Sequence, residues 1–521
     1  MAENSPQFVV TRVLADEAAT AALGRELALF AQAGDWVGLS GELGAGKSVL
    51  ARGLIRGLAA EGAAFDVPSP TFTLIQLYDD LRVPVAHCDL YRLGDVAEAD
   101  ELGLDDFALS HLSLVEWPVR LCGHLPAVRL MIELEITGDG RLARMTGHGR
   151  MAVKLERMEM VAGFLVATNM KDARRSFFQG DASSRRYEKL EAAAGECCLL
   201  MDMPDVPDGP PVRDGKPYSA LAHLATGISA VLAINNELRA RGFSAPETLA
   251  SDAANGLALI EYFDGEVYGD MARQGKDMSE PMTAAVCLLA DMASSAWPQR
   301  ADVPGAEVYS LATYDETALL IEVELLLDWF WPVAKGEPAG AEVRGEFFAV
   351  WRQLIARLAR QPQVWVLRDF HSPNLIWLAD RDGAARVGLI DTQDAVLGSP
   401  AYDLVSMLQD ARIDVPSGIE RELLDYYCAY REAAAADAGT VFDDAALRRD
   451  YAILGAQRAT KVLGIFVRLF KRDGKAQYLR HISRVSRALE RNLAHPELGE
   501  LRKWYDRHLP AAERERLDTV D

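Results

Sequence analysis

Gly41-Glu42-Leu43-Gly44-Ala45-Gly46-Lys47-Ser48 decides how the front of this chain reads. The octet fits the spacing GxxxxGK[ST] and stands between an apolar run, Asp35 to Ser40, and a helix-like stretch, Ser48 to Glu61. That strand-loop-helix setting is what a phosphate cradle requires. Gly41, Gly44 and Gly46 let backbone N–H groups converge on phosphate oxygens, and the helix N-terminus adds its positive end. Lys47 reaches the β- and γ-phosphates, and the Ser48 hydroxyl is placed to ligate Mg2+. ATP and Mg2+ are therefore the expected cofactors. Working outward, the apolar runs Val83 to Cys88, Leu112 to Glu116 and Arg129 to Ile136 continue an alternation of strand and helix. This predicts a parallel α/β sheet, closed by a basic, turn-rich stretch from Gly138 to Arg150. A P-loop ATPase domain over residues 1–155 is expected, followed by a tether over 156–165.

Single cores stop growing at roughly 250–300 residues, so 521 residues imply more than one domain. The composition, 50% hydrophobic and 25% charged, is that of an ordinary globular protein. The N-terminal residues have no basic segment followed by an apolar run, and no stretch approaches the roughly 20 apolar residues of a membrane span. A cytoplasmic protein with no membrane partner is expected. The six cysteines form no CxxC pair and no His/Cys cluster at zinc spacing, and read as reduced thiols. The net charge of −22 argues against a general nucleic-acid binder, which needs clustered Lys and Arg. The acid excess is shared, −8 over residues 1–155 and −14 over the remainder. Any RNA role of the front module then runs through a protein partner.

Val67-Pro-Ser-Pro-Thr-Phe72, His87-Cys-Asp-Leu-Tyr-Arg92 and Val115-Glu-Trp-Pro118 follow the cradle. In order and spacing they resemble the TsaE family of ATPases, which support threonylcarbamoyladenosine formation on tRNA. The resemblance implies a switch-like Thr71 sensing Mg2+ and the γ-phosphate. It also implies Asp89 as an acidic group at a strand end, Glu116 as a second carboxylate near the phosphates, and Trp117 beside the nucleotide. Its implied partners are the proteins of the threonylcarbamoyltransferase complex. From the residues alone, Asp89 also reads as a helix-capping carboxylate, and Glu116-Trp117 as a surface acid beside a core aromatic. A P-loop domain without an evident arginine finger should hydrolyse ATP slowly, because such an arginine is worth about 10³ to 10⁵ in rate.

From about Val161 the texture changes to long amphipathic helices, of which Tyr218 to Arg241, Asp315 to Trp331 and Gly345 to Arg360 are the clearest. In Val366-Leu-Arg-Asp369-Phe-His-Ser-Pro-Asn374 the spacing D-x4-N is that of a kinase catalytic loop, and Asp391 follows at the end of another apolar run. Phosphoryl transfer needs a positioned base and metal ligands. Asp369 is assigned to accept or orient the acceptor hydroxyl proton, and Asn374 and Asp391 to hold Mg2+. A turn with a capping Asp and Asn is the plainer alternative.

Gln179 to Tyr187, Leu367 to Trp377, Gly388 to Ala395, Tyr402 to Arg412 and Lys461 to Phe466 look like the AmgK branch of the aminoglycoside-phosphotransferase-like kinases. The similarity runs from about residue 170 to about 490. It implies a protein-kinase-like α+β domain with a mostly helical C-terminal lobe, here residues 166–521. It also implies phosphorylation of the anomeric hydroxyl of N-acetylmuramate and N-acetylglucosamine by ATP, with an aminoglycoside-type antibiotic phosphotransferase, or a nucleotide-binding scaffold with a degenerate kinase half, as the alternative readings. Three departures stand out, the first being Leu367 in place of the usual catalytic-loop histidine. Gly180 to Tyr187 replaces the glycine-rich loop, and Cys197 to Met203 lacks the usual ATP-pairing lysine. Ser183, Arg185 and Arg186 are the candidates for phosphate contact, with Lys189 or a larger share for Mg2+ as alternatives and Arg186 favoured. Leu257 to Phe263 reads as the strand and hinge under the adenine, or as a buried strand without a ligand. The helix from Ile321 to Trp331 reads as a sugar wall, with Glu324 accepting hydroxyls, or as core through Trp329 and Trp331. Gln393, Asp394 and Arg412 complete the candidate sugar contacts.

Overall fold

The computed structural model describes residues 7–60, 65–93, 98, 103–178, 185–193, 195–205, 209–303, 305–358 and 363–516. The chain divides into two compact units, Met1–Asp202 and Met203–Asp521.

The first unit is built on a seven-stranded sheet. In chain order its strands are β1 (Gln7–Leu14), β2 (Trp36–Gly41), β3 (Ile75–Tyr78), β4 (Val85–Asp89), β5 (Leu112–Glu116), β6 (Arg129–Thr137) and β7 (Gly140–His148). They lie in the order β1-β7-β6-β2-β5-β4-β3. β2 runs parallel to β5 and β6, and β4 parallel to β5. Every residue of β4 and β5 is buried, as parallel strands covered on both faces require, and this is why they read as continuous apolar runs. In register, Asp89 lies opposite Glu116, and Glu116 opposite Leu39. The carboxyl ends of β2, β4 and β5 therefore finish level, where ligands of open α/β sheets bind.

Helix α1 (Glu17–Phe30), N-capped by Asp16, packs on α2 (Lys47–Gly57), the helix that leaves the cradle. The two approach too closely for side chains at the contact. A Cβ at Gly24 would lie 2.3 Å from the Leu50 carbonyl oxygen, and one at Gly53 would lie 2.4 Å from that of Ala21. Two expectations are corrected. Residues 140–148 are a strand paired on both sides, not a turn-rich closure. In place of a tether, α3 (Arg150–Ala167) is an 18-residue helix burying Met151, Leu155 and Met158. The unit ends in the antiparallel meander β8 (Arg174–Phe178), β9 (Arg186–Glu191) and β10 (Cys197–Asp202).

The second unit is mostly helical. The helix expected over 218–241 is interrupted, and its long part is α4 (Ile228–Ala240). The strand foreseen under an adenine is β11 (Leu257–Glu261). Over 315–331 the chain forms α5 (Glu316–Leu325) and then a single π turn, Leu326–Phe330. α6 (Ala341–Leu358) follows. The loop bearing Asp369 and Asn374 is held between two short pairs of strands. β12 (Val364–Val366) pairs with β15 (Val396–Gly398), and β13 (Leu375–Trp377) pairs with β14 (Val387–Leu389). Behind them α7 (Ala401–Leu408) packs on the 30-residue α8 (Asp444–Asp473). Among the described residues no helix is long and apolar enough to cross a membrane.

Candidate active sites

The front site lies at the carboxyl ends of β2, β4 and β5. Gly41, Gly44 and Gly46 stand at φ 140°, 82° and 105°, values open to glycine and strained for other residues. Lys47 is buried, and its Nζ donates to the carbonyl oxygens of Gly41 (2.9 Å) and Glu42 (2.8 Å). The same Nζ lies 3.8 Å from the centre of the Trp117 ring, which places Trp117 beside the cradle lysine. Burial lowers the Lys47 pKa, while the charges of Glu116 and Asp89 act the other way. Ser48 Oγ donates to Glu116 Oε2 at 3.0 Å, and Glu116 Oε1 is 3.0 Å from His87 Nε2. Thr71 Oγ1 donates to Asp89 Oδ2 at 2.8 Å, and the Tyr91 N–H to Asp89 Oδ1 at 3.0 Å. The front residues named from the sequence thus converge. The hard oxygens of Ser48, Thr71, Asp89 and Glu116 fit a Mg2+ ion whose shell is completed by nucleotide phosphates. Asp89 caps no helix here, because its oxygens are directed to Thr71 and the turn after β4.

Two front residues were missed. Buried His87, on β4, orients the Glu116 carboxylate. Arg141, on β7, donates from Nε to the Ala45 carbonyl (3.0 Å) and from Nη2 to that of Gly44 (3.3 Å). Arg141 lies within the basic stretch that had been read as a closing turn.

In the second unit, Asn374 Nδ2 donates to the Asp369 carbonyl (3.1 Å) and to Asp391 Oδ2 (3.3 Å), and Gln393 Nε2 donates to Asp391 Oδ1 (3.0 Å). The Asp369 side chain is 40% exposed, as a group that must meet a substrate needs to be. Asp391 stands at φ 60° and Arg368 at φ 67°, so the two carboxylates sit in a strained, tightly specified backbone. Asp403, on α7, holds the loop from below. Its Oδ2 accepts from the Leu367 N–H (2.6 Å) and its Oδ1 from that of Arg368 (2.9 Å). Burial raises its pKa to about 7, although these two bonds oppose the shift. The Asp391 carboxylate and the Asn374 amide oxygen make a donor set suited to Mg2+ bridging nucleotide phosphates. Among the described residues, no group of three or more His, Cys, Asp or Glu stands ready to hold a metal unaided.

The sugar candidates separate. Gln393 touches Asp391, and Asp394 Oδ1 accepts from the Ala225 N–H at 2.7 Å. Arg412 Nη1 lies 3.3 Å from Nε2 of His371, which burial and then the Arg412 charge keep neutral. Glu324 is ion-paired with Arg213 and Arg344. Its neighbour Glu322, which was not singled out, meets Arg368 and lies 2.7 Å from Lys461 Nζ. Burial pushes the Glu322 pKa up, but Lys461 and Arg368 outweigh it and bring it to about 2. Trp331 is core, beside Trp504, so the helix does not present it as a wall for a sugar. Of the phosphate candidates, Ser183 lies outside the described residues, and Arg185 is half-buried at the start of β9. Arg186 donates to Asp202 Oδ2 at 2.5 Å and lies 3.4 Å over the Phe30 ring.

Residues 14–144 match the family described as threonylcarbamoyl adenosine biosynthesis protein TsaE. Residues 174–437, half of the chain, match the phosphotransferase enzyme family, APH. The N-acetylmuramate/N-acetylglucosamine kinase of Caulobacter vibrioides is 36% identical over 372 residues, which are 70% of this chain and 100% of that protein. The protein of the same name from Pseudomonas aeruginosa is 31% identical over 328 residues, 62% of this chain and 84% of its own length. The TsaE protein of Bacillus subtilis is 40% identical over 121 residues, 23% of this chain and 73% of that protein. The chain belongs to both families. It is a fusion of a TsaE-type P-loop domain with an APH-type kinase, and Asp369, Asn374 and Asp391, brought together by the contacts above, lie within the APH part. The APH match begins at the start of β8, so three strands of that family's fold lie within the first compact unit.

Proposed function

We propose that the APH-type part transfers the γ-phosphoryl group of Mg·ATP to the anomeric hydroxyl of N-acetylmuramate and N-acetylglucosamine, as a step of peptidoglycan recycling. The convergence of Asp369 and Asn374, on the loop before β13, with Asp391, just after β14, carries this reading, and the names of the Caulobacter and Pseudomonas relatives supply the sugar class. Asp369 takes or orients the proton of the attacking hydroxyl, while Asn374 and Asp391 hold the metal that neutralises charge on the phosphates. The TsaE-type part, in this reading, is a slow ATPase in which Thr71 and Asp89 respond to the γ-phosphate. It supports threonylcarbamoyladenosine formation on tRNA through threonylcarbamoyltransferase partners, without direct contact to RNA. The test is a phosphorylation assay of the full chain over N-acetylated sugars, free hexosamines and aminoglycosides. A sugar 1-phosphate, with an acid-labile ester and a blocked reducing end, is expected. A 6-phosphate, or turnover confined to aminoglycosides, would refute it.

A further inference from the structure

Within the second unit a cavity of about 330 Å3 opens beside the Asp369 loop, at the lower end of the roughly 300–1,000 Å3 of small-ligand pockets. Ser219, His223, Thr226, Tyr309 and Ser310 form its polar wall, and small side chains, Ala312 and Ala395 among them, leave it room. Contacts on two sides fix it against the catalytic residues. Arg368 Nη1 donates to the carbonyl oxygens of Ala222 (2.8 Å) and His223 (3.4 Å), so the residue next to Asp369 holds the turn that carries His223. On the other side the Ala225 N–H donates to Asp394 Oδ1 at 2.7 Å, just beyond Asp391. Burial raises the Asp394 pKa, and the charges of Asp369 and Asp391 add to this against that of Arg368. Burial and then the Asp394 charge raise that of Tyr309. The wall therefore lies within the field of the catalytic carboxylates.

The chemistry of the wall selects its occupant. Four hydroxyls and one imidazole offer hydrogen bonds, while among the described residues no Lys, Arg, Asp or Glu lines the cavity. A phosphate would find no cation there and a free ammonium no carboxylate, and burying either unpaired is costly. An uncharged polyhydroxylated ring meets the donors and acceptors it needs. His223 stands at φ 53°, in the left-handed region that His and Asn enter more readily than most residues. Its Nε2 lies 3.3 Å from Asp315 Oδ2, which leaves Nδ1 for a ligand. We propose that this cavity seats the acceptor as an uncharged pyranose with an N-acetyl group, and that His223 is a specificity-determining residue bonding a ring hydroxyl or the acetyl oxygen through Nδ1. This is the part common to N-acetylglucosamine and N-acetylmuramate, and a ring seated there is next to Asp369. The inference rests on the reading of this unit as a sugar kinase.

The test is calorimetry of N-acetylglucosamine binding to the full chain with Mg2+ and a non-hydrolysable ATP analogue, followed by kinetics of its phosphorylation. His223→Asn keeps a residue that tolerates the left-handed turn and removes the imidazole. It should weaken sugar binding, and raise KM for the sugar, by about three- to tenfold, the scale of one hydrogen bond, while KM for ATP stays unchanged and kcat moves little. Ala312→Phe fills the cavity and should weaken sugar binding by about tenfold or more. Free glucosamine should bind the parent chain more weakly than its N-acetyl derivative. Unchanged sugar affinity in a folded Ala312→Phe chain, or glucosamine bound as tightly, would overturn the inference. Should Ala312→Phe fail to melt cooperatively, His223→Asn decides, and unchanged affinity there overturns it; so does a parent chain that binds no N-acetylglucosamine. If both variants weaken binding yet the sugar is not phosphorylated, the kinase reading falls and the sugar site stands. If the sugar is phosphorylated while both variants bind it as the parent does, the site falls and the kinase reading stands.

Discussion

Asp369, before β13, and Asp391, after β14, are both carboxylates beside Asn374, and their surroundings separate their roles. Asp369 points outward, while Asp391 is held by the amides of Asn374 and Gln393. Asp369→Asn keeps the shape and removes the proton acceptor, so kcat should fall by about 10² or more with little change in Mg·ATP binding. Asp391→Asn should weaken Mg·ATP binding as well as turnover, with partial recovery at high Mg2+. Steady-state kinetics at varied Mg2+ separate the two, and an Asp369→Asn enzyme of full activity contradicts the assignment. Asp403 gives a prediction of a different kind. Its pKa is raised by burial to about 7, against about 3.9 in an unfolded chain. Between these values the native state holds a proton that the unfolded state has released. The stability this contributes is therefore complete below about pH 4 and is lost as pH rises towards 7. Thermal midpoints measured across that window should decline, and the decline should be shallower in Asp403→Asn. An equally steep decline in the variant would show that other groups, such as Asp394, carry it.

Secondary-structure elements were legible where one face or both faces are apolar without interruption. β4 and β5 read as continuous apolar runs because both faces are covered, and the cradle's glycines announced the turn into α2. β7 was missed because Arg141, Arg144 and His148 dominate its composition. Its buried residues, Ala143, Met145 and Gly147, alternate as a strand must, and that period was the available signal. α3 was missed for another reason, since a domain border was expected there, although Met151, Leu155, Met158 and Leu165 recur at helical spacing. On α5 the helical phase decides between two acids. Glu322 turns to Arg368 and Lys461, while Glu324, two positions on, turns to Arg213 and Arg344. A sequence shows both carboxylates and not which one faces the loop. The same limit explains Arg186. Beside a phosphate-loop segment a lone arginine reads as an ATP ligand, because its partner Phe30 is remote along the chain and the pairing exists only in space.

At the scale of the whole molecule the chain carries two candidate phosphate-handling centres, each with oxygens suited to a metal ion. Lys47 is confined to the first, where its Nζ is held by the Gly41 and Glu42 carbonyls above Trp117, while the catalytic loop of the second is braced by Asp403 and Arg368. Lys47→Ala removes the charge that meets the β- and γ-phosphates and leaves the glycine turn and the α1–α2 contact in place. Nucleotide binding by the front site should therefore be lost, and sugar phosphorylation should stay within a few-fold of the parent, because no residue of the Asp369 loop depends on Lys47. If Lys47→Ala in a folded chain abolishes sugar turnover, the two centres are not independent and the second depends on the nucleotide state of the first. If turnover persists while calorimetry finds one Mg·ATP site where the parent has two, the two centres work independently.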